Sequence, residues 1–285
     1  MKVIITGDES HFVNKVRDAF LTQGNTVQLF SMMGKEWDEK TIEKGDVVVH
    51  IAGITPQKGI ETDLFYDVNH IKTKKLVSIC EKKEISHLIY ISTMAVYGEQ
   101  LRKIGDNPIG LETLCENPAP YGESKLLAEK EIQTLPETIK WTILRVPSLY
   151  DEVRQEYFYS FYNFIKRLPL IPKFTFNTKR SILCIDNLCE ILCDVTANKD
   201  ETFTNRILLP SDDCEYDVNY FFDKVCKDYG IKKHPIKICE RLAVILTKCF
   251  PFFLSYTLNA YYSDTDVFKY AGKTVDDYKI SLEDK

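Results

Sequence analysis

Tyr121 and Lys125 stand four residues apart in Tyr121-Gly122-Glu123-Ser124-Lys125, the spacing that brings two side chains onto one face of a helix. Such a pair can make a tyrosine into a base. A phenol of pKa about 10 must fall by roughly 3 units to work near neutrality, which is about 4 kcal/mol of differential stabilisation of the phenolate. A neighbouring ammonium is a suitable source of it. Upstream, Ser92-Thr93-Met94-Ala95-Val96-Tyr97-Gly98 follows an apolar run, and Thr93 can offer its hydroxyl to the same substrate oxygen. These groups suit proton exchange at a secondary alcohol or ketone. Alone, a tyrosine and a lysine at this spacing also describe a surface pair on a helix, so their meaning depends on the elements that carry them.

The first half of the chain alternates short apolar strands with amphipathic helices. Val3 to Thr6 reads as a strand. Phe12, Val13, Val16, Ala19 and Phe20 form one helical stripe, closed by Gly24 at a left-handed cap position. Val27 to Phe30 is a second strand. Val47 to Ile51 and His87 to Ser92 are continuous apolar runs typical of central strands, with a helix from about Phe65 to Lys82 between them. A helix from Tyr121 to about Gln133 and a strand from Trp141 to Leu144 complete the pattern. It predicts an α/β fold, a Rossmann-like doubly wound parallel sheet whose ligand crevice lies at the carboxyl ends of the strands. Thr93 falls at such an end. Residues 1–150 are read as this domain and 151–285 as mainly a smaller lobe over the crevice, with some segments returning to the sheet. In that second part Tyr157 to Arg167, Leu188 to Thr196 and Val218 to Tyr229 read as helices, and Ser181 to Ile185 and Phe203 to Leu209 as strands.

Composition narrows the partners. The 285 residues carry a formal net charge of -5 with acids and bases interspersed, which offers no clustered basic surface for a phosphate backbone. Cys249 to Ser263 is the longest strongly apolar uncharged stretch; it holds Pro251 and falls short of the roughly 20 residues that span a bilayer, so it reads as buried helix. No nucleic acid and no membrane partner is expected. Nine cysteines without paired C-x-x-C spacing suggest free thiols in a reducing compartment, and the amino terminus lacks a signal-peptide pattern, so a cytoplasmic location is expected. Cys189 and Cys193 stand four apart on a helix with no histidine close in sequence; core packing explains them better than a metal, and no metal site is expected.

Taken together, these motifs resemble the extended short-chain dehydrogenases/reductases, in particular the nucleotide-sugar epimerase/dehydratase branch. The resemblance covers most of the chain and is strongest from Val47 to Tyr150. Ser92 to Gly98 is similar to that family's S-S/T-x-x-V-Y-G segment, His50-Ile51-Ala52-Gly53 to its H-L-A-A/G strand end, and Val68-Asn69 with Thr73 to its V-N-x-x-G-T helix, with Lys72 in place of the glycine. Leu144-Arg145 through Tyr150 resembles L-R-x-x-N-V-Y-G, with Ser148 replacing asparagine. Arg167-Leu168-Pro169-Leu170, Lys179-Arg180-Ser181 and Ile185-Asp186-Asn187-Leu188 resemble segments of bacterial polysaccharide-sugar 4-epimerases and 4-ketoreductases.

The resemblance implies a bound NAD or NADP. It assigns the cofactor to Gly7, Ser10, His11 and Phe12 of the first loop, to Ser31 after strand two, and to Ile51, Ala52 and Gly53. Asn69, Val146 and the Tyr121/Lys125 pair complete that set. Tyr121 would be the acid/base, Lys125 would hold the nicotinamide ribose, and Thr93, Met94, Ser148 and Arg180 would meet a nucleotide sugar, taken as UDP-linked. Arg180 would grip the diphosphate, which suits a planar guanidinium. A homodimer built on the helix from Phe65 and the helix containing Tyr121 is the family's usual assembly.

The departures matter as much. In the T-G-x-x-G-x-x-G loop Ser10 and Val13 replace two glycines, and Asp8 and Glu9 add carboxylates. At about 4 Å and an effective dielectric near 20, one carboxylate facing a phosphate opposes binding by about 4 kcal/mol; turned to solvent it opposes it far less. Ser31 stands where NAD-using relatives place an acid on the adenosine ribose; Lys35 is the cation nearest in sequence that could meet a 2′-phosphate, and NAD versus NADP stays open. Met32 to Gly45 is too short for the usual third strand and helix. Met94 and Ala95 occupy the positions where dehydratases of this branch carry an Asp-Glu pair, and neither transfers a proton, so dehydration is disfavoured. Hydride chemistry at C4 of a nucleotide hexose remains. The rival reading is a non-catalytic protein that keeps the fold to bind a nucleotide or sugar.

Overall fold

The computed structural model describes residues 1–34, 37–104, 106–153, 155–197, 202–250 and 260–280. Its chain runs β1 (Lys2–Thr6), α1 (His11–Thr22), β2 (Thr26–Phe30), β3 (Val47–His50), α2 (Thr62–Phe65), α3 (Lys72–Lys83), β4 (His87–Thr93), α4 (Pro120–Ile132), β5 (Lys140–Val146) and β6 (Ser148–Tyr150). It continues through α5 (Glu156–Arg167), β7 (Ile171–Phe174), β8 (Lys179–Arg180), β9 (Ile182–Cys184), α6 (Ile185–Ala197), β10 (Arg206–Asp212), β11 (Tyr216–Asp217), α7 (Val218–Tyr229), β12 (Pro235–Ile238), α8 (Glu240–Cys249) and β13 (Val267–Tyr270).

Seven strands form one sheet in the order β13-β10-β5-β4-β3-β1-β2, and every pairing within it is parallel. Parallel strands need crossovers, and the helices that supply them cover both faces. On one face Val13, Val16 and Phe20 of α1 and Leu188, Ile191 and Leu192 of α6 pack on Val3, Ile5, Val49 and Ile89. On the other, Leu76 and Cys80 of α3 and Ala128 and Ile132 of α4 pack on Ile4, Val48, Leu88 and Tyr90. The alternate residues of each strand thus point into different cores, as a period of two requires. A separate core rich in aromatic rings joins α5 and α7, with Phe158, Phe161, Phe221 and Phe222 at its centre. Reversal of strand order between β1 and its neighbours β2 and β3 opens a crevice at their carboxyl ends, where Thr6 and His50 lie in register.

The predicted doubly wound sheet is therefore present, and Gly24 takes φ +77 just past α1 as a left-handed cap. Four local expectations change. The strand read as Phe203 to Leu209 is Arg206–Asp212, because Asn205 takes φ +54 and its amide turns back to the Trp141 carbonyl at 2.6 Å, so the extended run starts after it. The strand read as Ser181 to Ile185 is the shorter β9, Ile182–Cys184, which pairs parallel with β6; β8 before it pairs antiparallel with β11, and Ile185 already opens α6. The helix from Phe65 begins at Thr62 and holds a π-spaced segment, Tyr66–Ile71, before α3. Cys249 to Ser263 is not one buried helix. α8 ends at Cys249, with Phe250 at φ -134 and ψ 83, the extended geometry imposed on a residue before proline. Residues 251–259 lie outside the described ones, and Ala260 bonds through its backbone to Lys179 and Ser181.

Candidate active site

Thr93 ends β4 and caps the short 3-10 turn Met94–Tyr97, its Oγ accepting from the Ala95 amide at 3.2 Å. One acceptor site of the hydroxyl is thereby filled and its proton is left to donate outward. Tyr121 follows Pro120, which opens α4 at a position where the missing N–H costs nothing. Gly122 brings the two together: a Cβ there would stand 2.3 Å from the Ala95 carbonyl oxygen, so α4 can seat against the Thr93 turn only with glycine at this place. Tyr121 is half-buried, with its ring edge-on to Phe65 at 6.0 Å between centroids.

One turn further along α4, Lys125 is buried, 5% exposed. Its Nζ donates to the Ile91 carbonyl at 2.6 Å and lies 4.2 Å from the centre of the Tyr90 ring. Burial pushes its pKa down to about 7, against a smaller upward pull from Glu129. Tyr121, Lys125 and Glu129 thus form one stripe at four-residue spacing. Glu129 is the member that sequence reasoning missed, although the repeat of that spacing was there to find it. Its carboxylate accepts from Arg145 Nε at 3.1 and 3.2 Å and from Nη2 at 2.7 Å, and Ser92 Oγ also donates to it. Burial alone would lower the Arg145 guanidinium, but Glu129 holds it above its ordinary value. Arg145 Nη1 donates to the Tyr97 hydroxyl at 3.0 Å, which donates to the Gly110 carbonyl at 3.1 Å. This buried network pins the turn that presents Thr93.

Beneath it runs a second chain of hydrogen bonds. Thr73 Oγ donates to the Asn69 carbonyl at 2.7 Å and lies 2.7 Å from His50 Nε2, so Nε2 must carry the proton. Nδ1 then accepts from Thr6 Oγ at 2.7 Å, and Thr6 Oγ in turn accepts from the Ile51 and Ala52 amides, both at 3.1 Å. Burial, and secondarily Lys125, lower the imidazole to about 3, so it is neutral and this proton order is fixed. Asn69, expected to touch a cofactor, clamps the next loop: Oδ1 accepts from the Ile54 amide at 2.8 Å, and Nδ2 donates to the Ile54 carbonyl at 3.1 Å and to Ser124 Oγ at 3.2 Å. A Cβ on Gly53 would meet that Oδ1 at 2.9 Å.

The first loop is built differently from a glycine-rich one. Gly7 keeps φ +128, while Val13 is buried and its Cγ2 would stand 3.3 Å from a Cβ on Gly7. Ser10 caps α1 by accepting from the Val13 amide at 3.3 Å, and Phe12 packs at the edge of the core. His11 turns to Asp151, Nε2 to Oδ2 at 2.6 Å. With Glu152 they bring three potential metal ligands within 4.8 Å. Lys15 supplies the positive charge there, 3.3 Å from Asp151 and 3.0 Å from Glu152. Asp8 accepts from Ser31 Oγ at 2.8 Å. Lys35 lies outside the described residues.

Val146 ends β5 directly beside Thr93 in the ladder. Met94 is buried and Ser148 exposed. Arg180 is buried; its Nη1 donates to the Lys179 carbonyl at 3.0 Å. It lines a small cavity of about 30 Å³ with Ser211, Tyr216 and Tyr262. Burial lowers its guanidinium pKa. Cys189 and Cys193 are free and buried in the core. Among the described residues, no helix is long and apolar enough to cross a membrane.

Residues 13–169 match the model of the 3-beta hydroxysteroid dehydrogenase/isomerase family. The chain belongs to this family. That membership accords with the resemblance to the extended short-chain dehydrogenases/reductases. The human short-chain dehydrogenase/reductase family 42E member 1 is 24% identical over 168 residues, 53% of this chain and 42% of that protein. An uncharacterized UDP-glucose epimerase of Bacillus subtilis is 29% identical over 131 residues, 44% of this chain and 40% of that protein. The matched stretches thus span less than half the length of either relative. In fold, the chain is similar to UDP-glucuronic acid 4-epimerase from Bacillus cereus in complex with UDP-glucuronic acid and NAD. That comparison gives a TM-score of 0.70 at 15% identity, covering 97% of this chain and 96% of that one.

Proposed function

We propose that the chain is an NAD(P)-dependent enzyme acting at C4 of a nucleotide-activated hexose, as a 4-epimerase or 4-ketoreductase in cell-surface polysaccharide biosynthesis. The observation that carries this reading is the seating of α4 on the Thr93 turn through Gly122, with the Lys125 amine one turn below Tyr121. The crevice suits a nicotinamide dinucleotide. Among the described residues Lys125 makes one hydrogen bond, to Ile91, and an ammonium has three N–H groups, so two can serve ribose hydroxyls. A side chain at Gly7 would crowd Val13 and one at Gly53 would crowd Asn69, so glycine lets both loops pack closely where the strands end. Gly7, Ser10, His11 and Phe12 would lie under the pyrophosphate, Ile51, Ala52 and Gly53 along the dinucleotide, Val146 beside the nicotinamide, and Lys125 on its ribose. Asn69 would act through the Gly53–Ile54 loop.

When bound, the nicotinamide supplies a hydride acceptor or donor. Tyr121 takes the proton of the C4 hydroxyl or returns it to the C4 carbonyl. Lys125, charged in its working form, favours the phenolate. Thr93 donates its free proton to the same oxygen and fixes its position. Met94 and Ala95 have no proton to exchange, so the site lacks the separate acid and base that eliminating water needs. Ser148 and Arg180 are assigned to the nucleotide sugar, Arg180 to its diphosphate, and UDP is the proposed carrier. Support for a sugar substrate comes from the B. subtilis relative and from the fold shared with UDP-glucuronic acid 4-epimerase. A homodimer is proposed on the α2–α3 and α4 face, where Leu64 and Ile71 are exposed at 43% and 52%.

The family match favours one second reading, a 3-beta hydroxysteroid as substrate, because the same tyrosine and threonine would serve its alcohol. A panel of UDP-hexoses, their 4-keto derivatives and a 3-beta hydroxysteroid, each with NAD(H) and NADP(H), separates the two. Turnover of a UDP-linked sugar is expected; turnover of the steroid alone would favour the second reading. Failure to bind either cofactor would overturn both and favour a non-catalytic binding protein.

A further inference from the structure

Two departures from the dinucleotide-binding pattern meet in one hydrogen bond. β2 ends at Phe30 in register with Thr6 of β1, and the Gly7 amide donates to the Phe30 carbonyl at 3.1 Å, so the loops leaving the two strands start side by side. Ser31, where an acid would meet the adenosine ribose, carries no charge. Its Oγ donates to Asp8 Oδ1 at 2.8 Å and accepts from the Met33 amide at 3.3 Å. With its proton directed at Asp8, the serine orients a neighbour and has no proton left for a ribose. The Asp8 carboxylate is thereby held beside Ser31 at the tip of β2, whereas the pyrophosphate would sit at the amino end of α1.

We propose that Asp8 supplies the carboxylate that recognises the vicinal 2′,3′-diol of an adenosine ribose, and that the site therefore selects NAD over NADP. A carboxylate accepts hydrogen bonds from both hydroxyls of a diol and repels a 2′-phosphate. The lost acid of β2 is returned from the preceding loop, and Ser31 positions it. Lys72, whose Nζ donates to the Met32 carbonyl at 3.3 Å, is a nearby cation that would favour a 2′-phosphate once the carboxylate is removed. The inference rests on the proposed dinucleotide site and adds to it which cofactor is taken.

The test is a fluorescence titration of the full chain with NADH and with NADPH, for the wild type, Asp8→Asn, and the double variant Asp8→Asn/Ser31→Asp. A charge-assisted hydrogen bond contributes about 1.5–3 kcal/mol, roughly a tenfold to hundredfold change in Kd. The wild type is expected to bind NADH at least about tenfold more tightly than NADPH, on the same reasoning. Asp8→Asn should weaken NADH by about that factor and tighten NADPH. The double variant, with the carboxylate moved to the β2 tip, should recover the NADH preference. Asp8 is exposed, and far-ultraviolet circular dichroism checks that each variant is folded. Equal or tighter NADPH binding by the wild type, or an unchanged ratio in Asp8→Asn, would overturn the inference while leaving the dinucleotide site standing. Binding of neither cofactor by the wild type would overturn both.

Discussion

Replacing Lys125 with methionine should stabilise the protein while destroying its activity, and the stability gain should depend on pH in a defined way. The lysine is buried, and burial lowers its pKa from 10.5 to about 7. The folded state thus binds its proton less tightly than the unfolded chain does. Below pH about 7 the amine is charged in both states, and holding it charged in the interior costs about 5 kcal/mol, at roughly 1.4 kcal/mol for each pH unit that separates the folded and unfolded titrations. Between about pH 7 and 10.5 the folded lysine is neutral while the unfolded one is still charged, so the cost fades as pH rises. Methionine has similar length and no charge; losing the bond to the Ile91 carbonyl returns about 1 kcal/mol of the gain. Urea unfolding at pH 6 should therefore show Lys125→Met more stable by about 3–5 kcal/mol, and by pH 9 that advantage should shrink by about 3 kcal/mol. A variant less stable than wild type at pH 6, or an advantage that does not change with pH, would refute the burial of this amine beside Tyr90.

Gly122→Ala puts a Cβ 2.3 Å from a backbone oxygen that cannot swing aside. α4 must shift, with an expected loss of about 1–3 kcal/mol in thermal unfolding and about a hundredfold in turnover as Tyr121 leaves Thr93; wild-type kinetics would contradict the seating argument. Glu129→Gln leaves the Arg145 guanidinium buried beside a neutral amide and should cost about 3–5 kcal/mol in denaturant unfolding. Glu129→Gln/Arg145→Met should recover part of that, and a double variant no better than the single would show that the pair is not the origin of the loss.

The sheet was legible because its strands are apolar runs at the length of strands, and its helices carry stripes such as Val13, Val16 and Phe20 that bury as a helical period requires. The adjacency of Tyr121 and Lys125 was legible because a four-residue spacing on one helix is local, and Thr93 falls at the carboxyl end of β4 as the apolar run before it suggested. What escaped is non-local. Asparagine enters the left-handed region more readily than most residues, but that alone does not show that Asn205 does so and delays β10, and the parallel pairing of β9 with β6 joins segments more than thirty residues apart. The Arg145–Glu129 bond needs β5 and α4 packed together before it exists. The bonds from both ends of the Asn69 amide to Ile54 likewise join residues fifteen apart and could not be read from its motif. Asp8 looked like a hindrance to a phosphate until its partner Ser31 was known.

The most direct test of the account follows a deuterium atom at C4 of the UDP-hexose that the panel identifies. With wild type and cofactor, the label should leave C4 for the nicotinamide, and in an epimerase return to C4 of the inverted sugar; with Tyr121→Phe, folded as judged by circular dichroism, it should stay in place. Turnover by the wild type in which no deuterium passes through the nicotinamide, so that the C4 label is lost to water or never reaches the cofactor in a single turnover, or undiminished transfer in Tyr121→Phe, would contradict the account.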